Sequence, residues 1–186
     1  MELTFHPPGT LAAATCREGV KFLRRRFAQE WGLTRTDIDA GLLAKRENLL
    51  LREERKLIGW LGIEASLELA NACVESGYPG SVLMGRLLRA AFRHHPHGPL
   101  FVYVPTERLA SATICIRCGL FLQPDRPPHF KILHYPERSI RLVRLDRCRW
   151  PGDGAASTFV VRQELARLRE AIGEGTCRGN DPQPLP

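Results

Sequence analysis

The junction between an apolar strand and a helix is the feature of this sequence best suited to bind an anion. Gly77-Tyr78-Pro79-Gly80 breaks the apolar run, and Ser81 follows as a residue type that caps helices. Such a junction leaves backbone N–H groups free at the positive end of the helix dipole, where a pyrophosphate can bind. Arg86, Arg89 and Arg93 are spaced by three and four residues and therefore share one helix face. The pattern predicts a site for a phosphorylated ligand, with a solvated arginine stripe as the alternative for these three cations.

A Cys-x-x-Cys pair offers a second chemistry, metal binding. Cys115 and Cys118 form the pair, and a His-His-Pro-His run, residues 94–97, lies some twenty residues upstream. A structural zinc site usually combines two such pairs, or one pair with a spaced histidine pair. A metal site is therefore one hypothesis, but the spacing favours two thiols packed on a helix face.

Composition excludes several classes of protein. The chain has 186 residues, of which 44% are apolar and 25% charged, which is typical of a globular domain and not of a disordered chain. No apolar run approaches the ~20 residues that span a bilayer. The N-terminus lacks the basic segment and apolar core of a secretion signal. We therefore expect a cytoplasmic protein without membrane contact, whose six cysteines are reduced thiols.

The net charge of +7 comes from one part of the chain. Residues 1–79 hold 11 cations and 11 anions, residues 80–150 hold 12 and 4, and residues 151–186 hold 4 and 5. The middle segment therefore favours an anionic partner, which would be a phosphorylated cofactor, a nucleic acid or an acidic protein. Apart from charge, no motif supports nucleic-acid binding.

Hydrophobic periodicity predicts the elements that must position these groups. The predicted helices cover 11–31, a short stretch through Leu42-Leu43, 82–94, 105–118 and 158–172, and the predicted strands cover 48–52, 57–64, 67–74, 100–104, 120–122, 130–135 and 139–145. Residues 1–10 are either weakly structured or an edge strand. This order predicts an α/β fold in which helices cover a mixed sheet.

The predicted organisation is one domain over residues 1–150, a linker at 151–157, an amphipathic helix at 158–172 and a disordered tail at 173–186. The apolar stripe of the C-terminal helix has no assigned partner. It would either cover the sheet or pair with a second copy in a homodimer.

The element order and the residues at its joints resemble the GNAT family of N-acyltransferases, whose cofactor is acetyl-CoA, over about residues 11–145. In that family a valine near the end of the fourth strand is followed by an aromatic residue, a glycine-rich Arg/Gln-x-x-Gly-x-Gly/Ala loop and a helix with paired leucines. Val74, Tyr78 and Leu87-Leu88 match this pattern, and Gly119-Leu120-Phe121 loosely matches the Gly-Phe end of the next helix. The resemblance implies a central, mostly antiparallel sheet with a β-α-β-α-β core.

The glycine-rich loop departs from the family pattern. Pro79 stands where the family has Arg or Gln, and Val82 and Met84 stand at the two later glycine positions, flanked by Gly80 and Gly85. Arg108 corresponds to an asparagine common in the following helix. The resemblance implies that acetyl-CoA would bind against Val74, Gly80, Ser81, Val82, Leu83, Met84, Gly85, Arg86 and Arg108.

The resemblance also implies catalytic roles. Glu68, six residues before the strand valine, takes the position of a glutamate that acts as general base on the acceptor amine in the histone-acetyltransferase branch. Glu64 is the second candidate, and a solvated strand carboxylate is the alternative for both. Cys115 takes the position of the tyrosine that protonates the departing CoA thiolate in many members, and Tyr78 or Tyr103 would be a spatial substitute.

Two functions follow as hypotheses. The first is an N-acyltransferase that moves an acetyl or other acyl group from its CoA thioester directly to an amine acceptor in a ternary complex. The second is a catalytically degenerate GNAT-like domain that acts as a binding or regulatory module through its basic segment, residues 80–150.

Overall fold

The computed structural model describes residues 1–31, 39–106, 108–122, 139–144 and 158–177. Within these residues the chain forms seven strands and five helices. In chain order they are β1 (Glu2–His6), α1 (Ala13–Trp31), α2 (Ala40–Ala44), β2 (Glu47–Glu53), β3 (Lys56–Ile63), β4 (Leu69–Val74), α3 (Gly80–His94), β5 (Phe101–Pro105), α4 (Leu109–Arg117), β6 (Leu120–Leu122), β7 (Ser139–Arg144) and α5 (Thr158–Cys177).

The strands form two sheets. Four strands in the order β1-β2-β3-β4 make an antiparallel sheet, and three strands in the order β5-β7-β6 make a second one. The predicted mixed α/β fold with mostly antiparallel pairing is confirmed. The chain divides into two compact units, a first unit of residues 1–102 and a second unit of residues 103–186, where the sequence predicted one domain over residues 1–150.

In the first unit, α1 packs on the sheet through a close contact between a glycine and a tryptophan. A Cβ atom placed on Gly19 would lie 2.5 Å from a ring carbon of Trp60, so only glycine fits this position. The buried indole donates a hydrogen bond to Asn48 Oδ1 (3.1 Å), and the Asn48 amide donates to the Leu43 carbonyl (2.7 Å). This satisfied polar network fixes the end of α2 beside β2 in an otherwise apolar core.

In the second unit, α5 packs against α4 and β6. Leu168 is fully buried. The nearly buried carboxylate of Glu164 accepts hydrogen bonds from the Leu122 backbone N–H (3.3 Å) and from Arg167 (2.6 Å). The apolar stripe of the C-terminal helix therefore covers elements of its own chain, which is the first of the two predicted arrangements.

Several element boundaries differ from the prediction for local backbone reasons. β4 starts two residues late because Leu67 is in the left-handed region, with φ of 67°. α3 starts at Gly80 with Pro79 as N-cap, so Ser81 is not the cap as predicted. α4 starts at Leu109 because β5 continues through Pro105.

At the two ends of the chain, residues 2–6 form an edge strand, one of the two options predicted for the N-terminus. α5 continues to Cys177, five residues past the predicted end of the helix and into the predicted tail. The predicted strand at 130–135, the linker at 151–157 and the tail beyond residue 177 lie outside the described residues.

Candidate functional site

A β-bulge interrupts β4 in the middle of the first unit's sheet. Trp60 pairs with Cys73 and Gly62 with Ala70, so one residue of β3 faces two residues of β4. The first of those two, Asn71, has φ of 51°, which asparagine tolerates better than most residues. A bulge bends its strand and re-aims the backbone groups beside it, and bulges are enriched next to active sites.

Within the described residues, no strand lies along the outer edge of β4. β4 is the terminal strand of its sheet. An isolated parallel bridge joins Glu68 to Phe101, and the Phe101 N–H donates to the Leu67 carbonyl (3.2 Å). Past this bridge, the part of the chain that the structure describes places no strand on this edge. The bulged edge therefore offers backbone donors and acceptors to an extended ligand.

The β4 edge leads through a short loop, residues 75–79, to the N-terminus of α3. Gly77 makes the turn with φ of 87°. No side chain among the described residues caps the helix, whose N-cap is Pro79. The N–H groups of Val82 and Leu83 both donate to the Pro79 carbonyl (2.9 and 3.2 Å). The Gly80 and Ser81 N–H groups precede them at the positive end of the helix, where an anion is stabilised.

Four of the predicted cofactor residues lie at this junction. A Cβ on Gly80 would lie 3.6 Å from Val74 Cγ2, so the end of β4 and the start of α3 are in contact distance of each other. Ser81 and Val82 are exposed, and Val82 exposes an apolar side chain by 53%. The structure thus places Val74, Gly80, Ser81 and Val82 at one junction.

The remaining predicted cofactor residues of α3 have other surroundings. Leu83 is fully buried in the core, Gly85 is also buried and Met84 is half-buried. The Arg86 guanidinium donates to Met1 Sδ (3.1 Å). Arg89 folds back along the helix, its Nη1 lying 3.3 Å from where a Gly85 Cβ would be. Arg89, not Arg86, therefore points its charge along the helix toward the preceding turn.

Two carboxylates lie in the turn before β4. Glu68 is half-buried, and its carbonyl accepts a hydrogen bond from the Glu64 N–H (2.9 Å). The Glu64 carboxylate forms an ion pair with Arg46 (2.8 Å). Of the two candidate bases, Glu68 is the one next to the β4 edge.

The predicted acid, Cys115, lies in the second unit on α4. The side chain is buried, and burial raises the pKa of its thiol to about 12, with a further contribution from Cys118. The thiol therefore keeps its proton at neutral pH and is not a nucleophilic thiolate. Arg108 is the N-cap of α4 and its N–H donates to the Pro105 carbonyl (2.9 Å).

The two tyrosines proposed as substitutes for the acid are both engaged. The Tyr78 hydroxyl donates to Glu53 Oε2 (2.7 Å), and this hydrogen bond is the main reason why the Tyr78 pKa is raised. Tyr103 lies under the Arg141 guanidinium, 5.9 Å from ring centroid to Cζ. Tyr78 thus connects its own loop to Glu53 at the end of β2. The sequence pattern did not reveal this role.

The metal hypothesis finds no support in the described ranges. They contain no group of three or more histidine, cysteine or acidic side chains placed to hold a metal ion. Cys16, Cys73, Cys115 and Cys118 are free thiols there, as predicted for these four. In the same ranges no helix combines the length and apolarity needed to cross a membrane.

Comparisons with known proteins identify the fold. No family model and no curated protein matches this sequence. An acyl-CoA N-acyltransferase from Pseudomonas aeruginosa is similar in structure, with a TM-score of 0.59 at 14% identity, over 78% of this chain and 100% of that one. A ribosomal-protein-S5-alanine acetyltransferase from Vibrio fischeri has a TM-score of 0.58 at 13% identity, over 82% and 97%.

A GNAT-family acetyltransferase from Streptococcus pneumoniae is also similar, with a TM-score of 0.54 at 17% identity over 76% of this chain and 98% of that one. At these identities the likeness concerns the fold, and it covers nearly the whole of each neighbour. The resemblance seen in the sequence is thereby confirmed: the chain has the fold of the GNAT acetyltransferases.

Proposed function

We propose that this protein is an N-acyltransferase that transfers an acetyl or related acyl group from its CoA thioester to an amine. One observation carries the proposal: a bulged strand with an open edge runs directly into an uncapped helix N-terminus, within the fold of the GNAT acetyltransferases. That arrangement fits a ligand with an extended amide-containing arm followed by a diphosphate, which describes CoA.

In this proposal the β4–α3 junction binds the cofactor. The amides of the pantetheine arm hydrogen-bond to the open edge of β4, in the way that an added strand would. The diphosphate accepts hydrogen bonds from the Gly80 and Ser81 N–H groups. The exposed Val82 side chain lies in the same first turn. Arg89, directed toward the preceding turn over Gly85, adds a positive charge on that helix.

Glu68 is the proposed general base. A protonated amine cannot attack a thioester, so a carboxylate must take one proton. The amine nitrogen then forms a bond to the thioester carbonyl carbon and gives its second proton to solvent, and the carbon–sulfur bond breaks as the tetrahedral intermediate collapses. CoA leaves as a thiolate whose pKa, about 8.5 for an ordinary thiol, lets it depart without a strong acid.

Cys115 was predicted to protonate that thiolate. With a pKa of about 12 the Cys115 thiol is a weaker acid than the CoA thiol. Proton transfer from Cys115 to the thiolate would therefore be unfavourable. We propose that the thiolate takes its proton from solvent, and that Glu68 is the one protein group required for proton transfer.

The test combines binding and turnover. Calorimetric titration with acetyl-CoA should give one site, and the cofactor should raise the melting temperature. Release of free CoA thiol is then followed across a panel of small amines, basic peptides and protein N-termini, with Glu68→Gln as the matched inactive control. Absence of both heat and thermal shift at millimolar acetyl-CoA would refute the proposal.

A further inference from the structure

The loop at residues 75–79 is held from outside at both of its ends. At its start, Glu75 is only 8% exposed, its carboxylate binds Arg25 of α1, and its N–H donates to the Ile58 carbonyl (2.8 Å). At its other end, the Tyr78 hydroxyl binds Glu53 at the end of β2 (2.7 Å). Three elements of the first unit, α1, β2 and β3, therefore fix this loop.

These contacts place two carboxylates against the loop that leads to the proposed diphosphate site. A carboxylate near a diphosphate repels it unless its charge is compensated. The Arg25 guanidinium compensates Glu75 and also lies over the Phe22 ring, 6.0 Å from its centroid. Tyr78 gives Glu53 a hydroxyl donor. Both carboxylates act here as fixed acceptors for anchoring groups, and the charge of Glu75 is matched by a cation.

The loop needs such anchors because its own sequence provides few. Ser76, Gly77 and Pro79 are exposed, and Gly77 takes a left-handed φ. Gly77 adds conformational freedom to the unbound chain. Without outside contacts, the loop would have to become ordered when the cofactor binds. The entropy lost in that ordering would lower the affinity for the cofactor.

We propose that Glu75 and Tyr78 are positioning residues that hold the loop so that the Gly80 and Ser81 N–H groups are already aimed at the cofactor diphosphate. This proposal rests on the proposed function and names the side chains that prepare its binding site. Neither residue touches the reacting atoms, so their effect is on cofactor affinity and not on the acyl transfer step.

Tyr78→Phe is the main test, because it removes one hydroxyl and keeps the ring. We expect the Kd of CoA and the KM for acetyl-CoA to rise roughly 5- to 10-fold, within the range for loss of one typical hydrogen bond, with kcat within about 2-fold. Amide hydrogen exchange of residues 76–82 in the free protein should accelerate. Thr10→Val removes an exposed hydroxyl of the first unit that lies outside this loop; it is the control and should change neither.

Arg25→Gln tests the other anchor through a side chain that is 53% exposed, so the fold should tolerate it. It should weaken CoA binding in the same way, and Arg25→Lys should restore most of the affinity. If the wild type binds CoA, and Tyr78→Phe and Arg25→Gln bind it equally well with unchanged amide hydrogen exchange of the loop, this proposal is wrong while the proposed function stands. If the wild type binds no CoA, both this proposal and the proposed function are wrong.

Discussion

The two compact units of this chain carry two different kinds of candidate chemistry. In the first unit, a half-buried carboxylate, an open strand edge and an uncapped helix N-terminus follow one another along the chain. In the second unit, the candidate group is a buried thiol whose pKa is raised to about 12. The family resemblance nominated both Glu68 and Cys115, but Glu68 is half-buried beside the β4 edge, whereas the Cys115 thiol is buried and keeps its proton.

The helix N-termini of the two units show the same contrast. α3 and α4 both lack a side-chain cap among the described residues, with Pro79 and Arg108 as their N-caps. The strands that precede them, β4 and β5, are both terminal in their sheets, and the described pairing of β4 contains a bulge beside its edge. The free N–H groups of a helix N-terminus can bind a cofactor more firmly when the strand before the helix also presents backbone groups to the same ligand. β4 and α3 have this arrangement.

Substitution of the proposed base should have the largest effect. Glu68→Gln keeps the shape and removes the carboxylate, so kcat should fall about 10²- to 10⁴-fold with CoA affinity unchanged. Steady-state kinetics at saturating acetyl-CoA measures it. Glu64→Gln is the matched control from the same turn, since its carboxylate is paired with Arg46. A larger loss of kcat in Glu64→Gln than in Glu68→Gln would reverse the assignment.

Removal of a single backbone donor should have the next largest effect. Gly80→Pro deletes one N–H at the first helical position, where proline fits the helix. CoA affinity should fall about 10-fold or more, as for a lost hydrogen bond to a charged group. Gly80→Ala keeps the N–H, and its Cβ would make an ordinary 3.6 Å contact with Val74. Equal Kd values of CoA for the two variants, measured by calorimetry, would show that the Gly80 N–H does not contribute to CoA binding.

Substitution of the buried thiol should have a smaller effect on turnover. Cys115→Ala should leave kcat within about 3-fold, because a thiol that keeps its proton adds little to departure of the CoA thiolate. The melting temperature should fall, since a buried side chain loses volume. In the native wild type, Cys115 should resist iodoacetamide more than the partly exposed Cys118. A 100-fold drop in kcat at unchanged acetyl-CoA affinity would restore Cys115 as the acid.

The smallest effect should come from the β2–β3 turn of the first unit. Glu54 and Arg55 have φ of 47° and 70°, the left-handed pair that a type I′ hairpin turn requires and that Asn-Gly prefers. Glu54→Asn with Arg55→Gly should raise the free energy of unfolding by about 1 kcal/mol. Denaturant unfolding measures the gain, and CoA affinity should not change. A loss of stability would mean that the native side chains make contacts worth more than the strain.

The sequence predicted the fold because its elements are periodic and its joints are marked. The β4–α3 junction could be placed from Val74, the Gly77–Gly80 break and the paired leucines of α3. The bulge at Asn71 could not be predicted from the sequence. An extra residue in a strand only shifts the alternation of apolar and polar residues, and that alternation is already irregular in β4.

The anchors of the loop were also beyond a sequence-based prediction. Arg25 contacts Glu75 across fifty residues, and Tyr78 contacts Glu53 across twenty-five. Such pairs depend on how α1 and the β2–β3 hairpin pack on β4, and local propensities contain no information on that packing. The pairing of β5 with β7 is likewise a long-range contact that local propensities do not encode.

The central claim is that CoA binds at the β4–α3 junction of the first unit. The most direct measurement is an NMR titration of ¹⁵N-labelled protein with CoA, followed through its backbone amide shifts. We predict that the largest changes fall on residues 72–74 and 80–83, with small changes on residues 115–118. Saturable changes centred on α4 or α5, or no change at millimolar CoA, would contradict the claim.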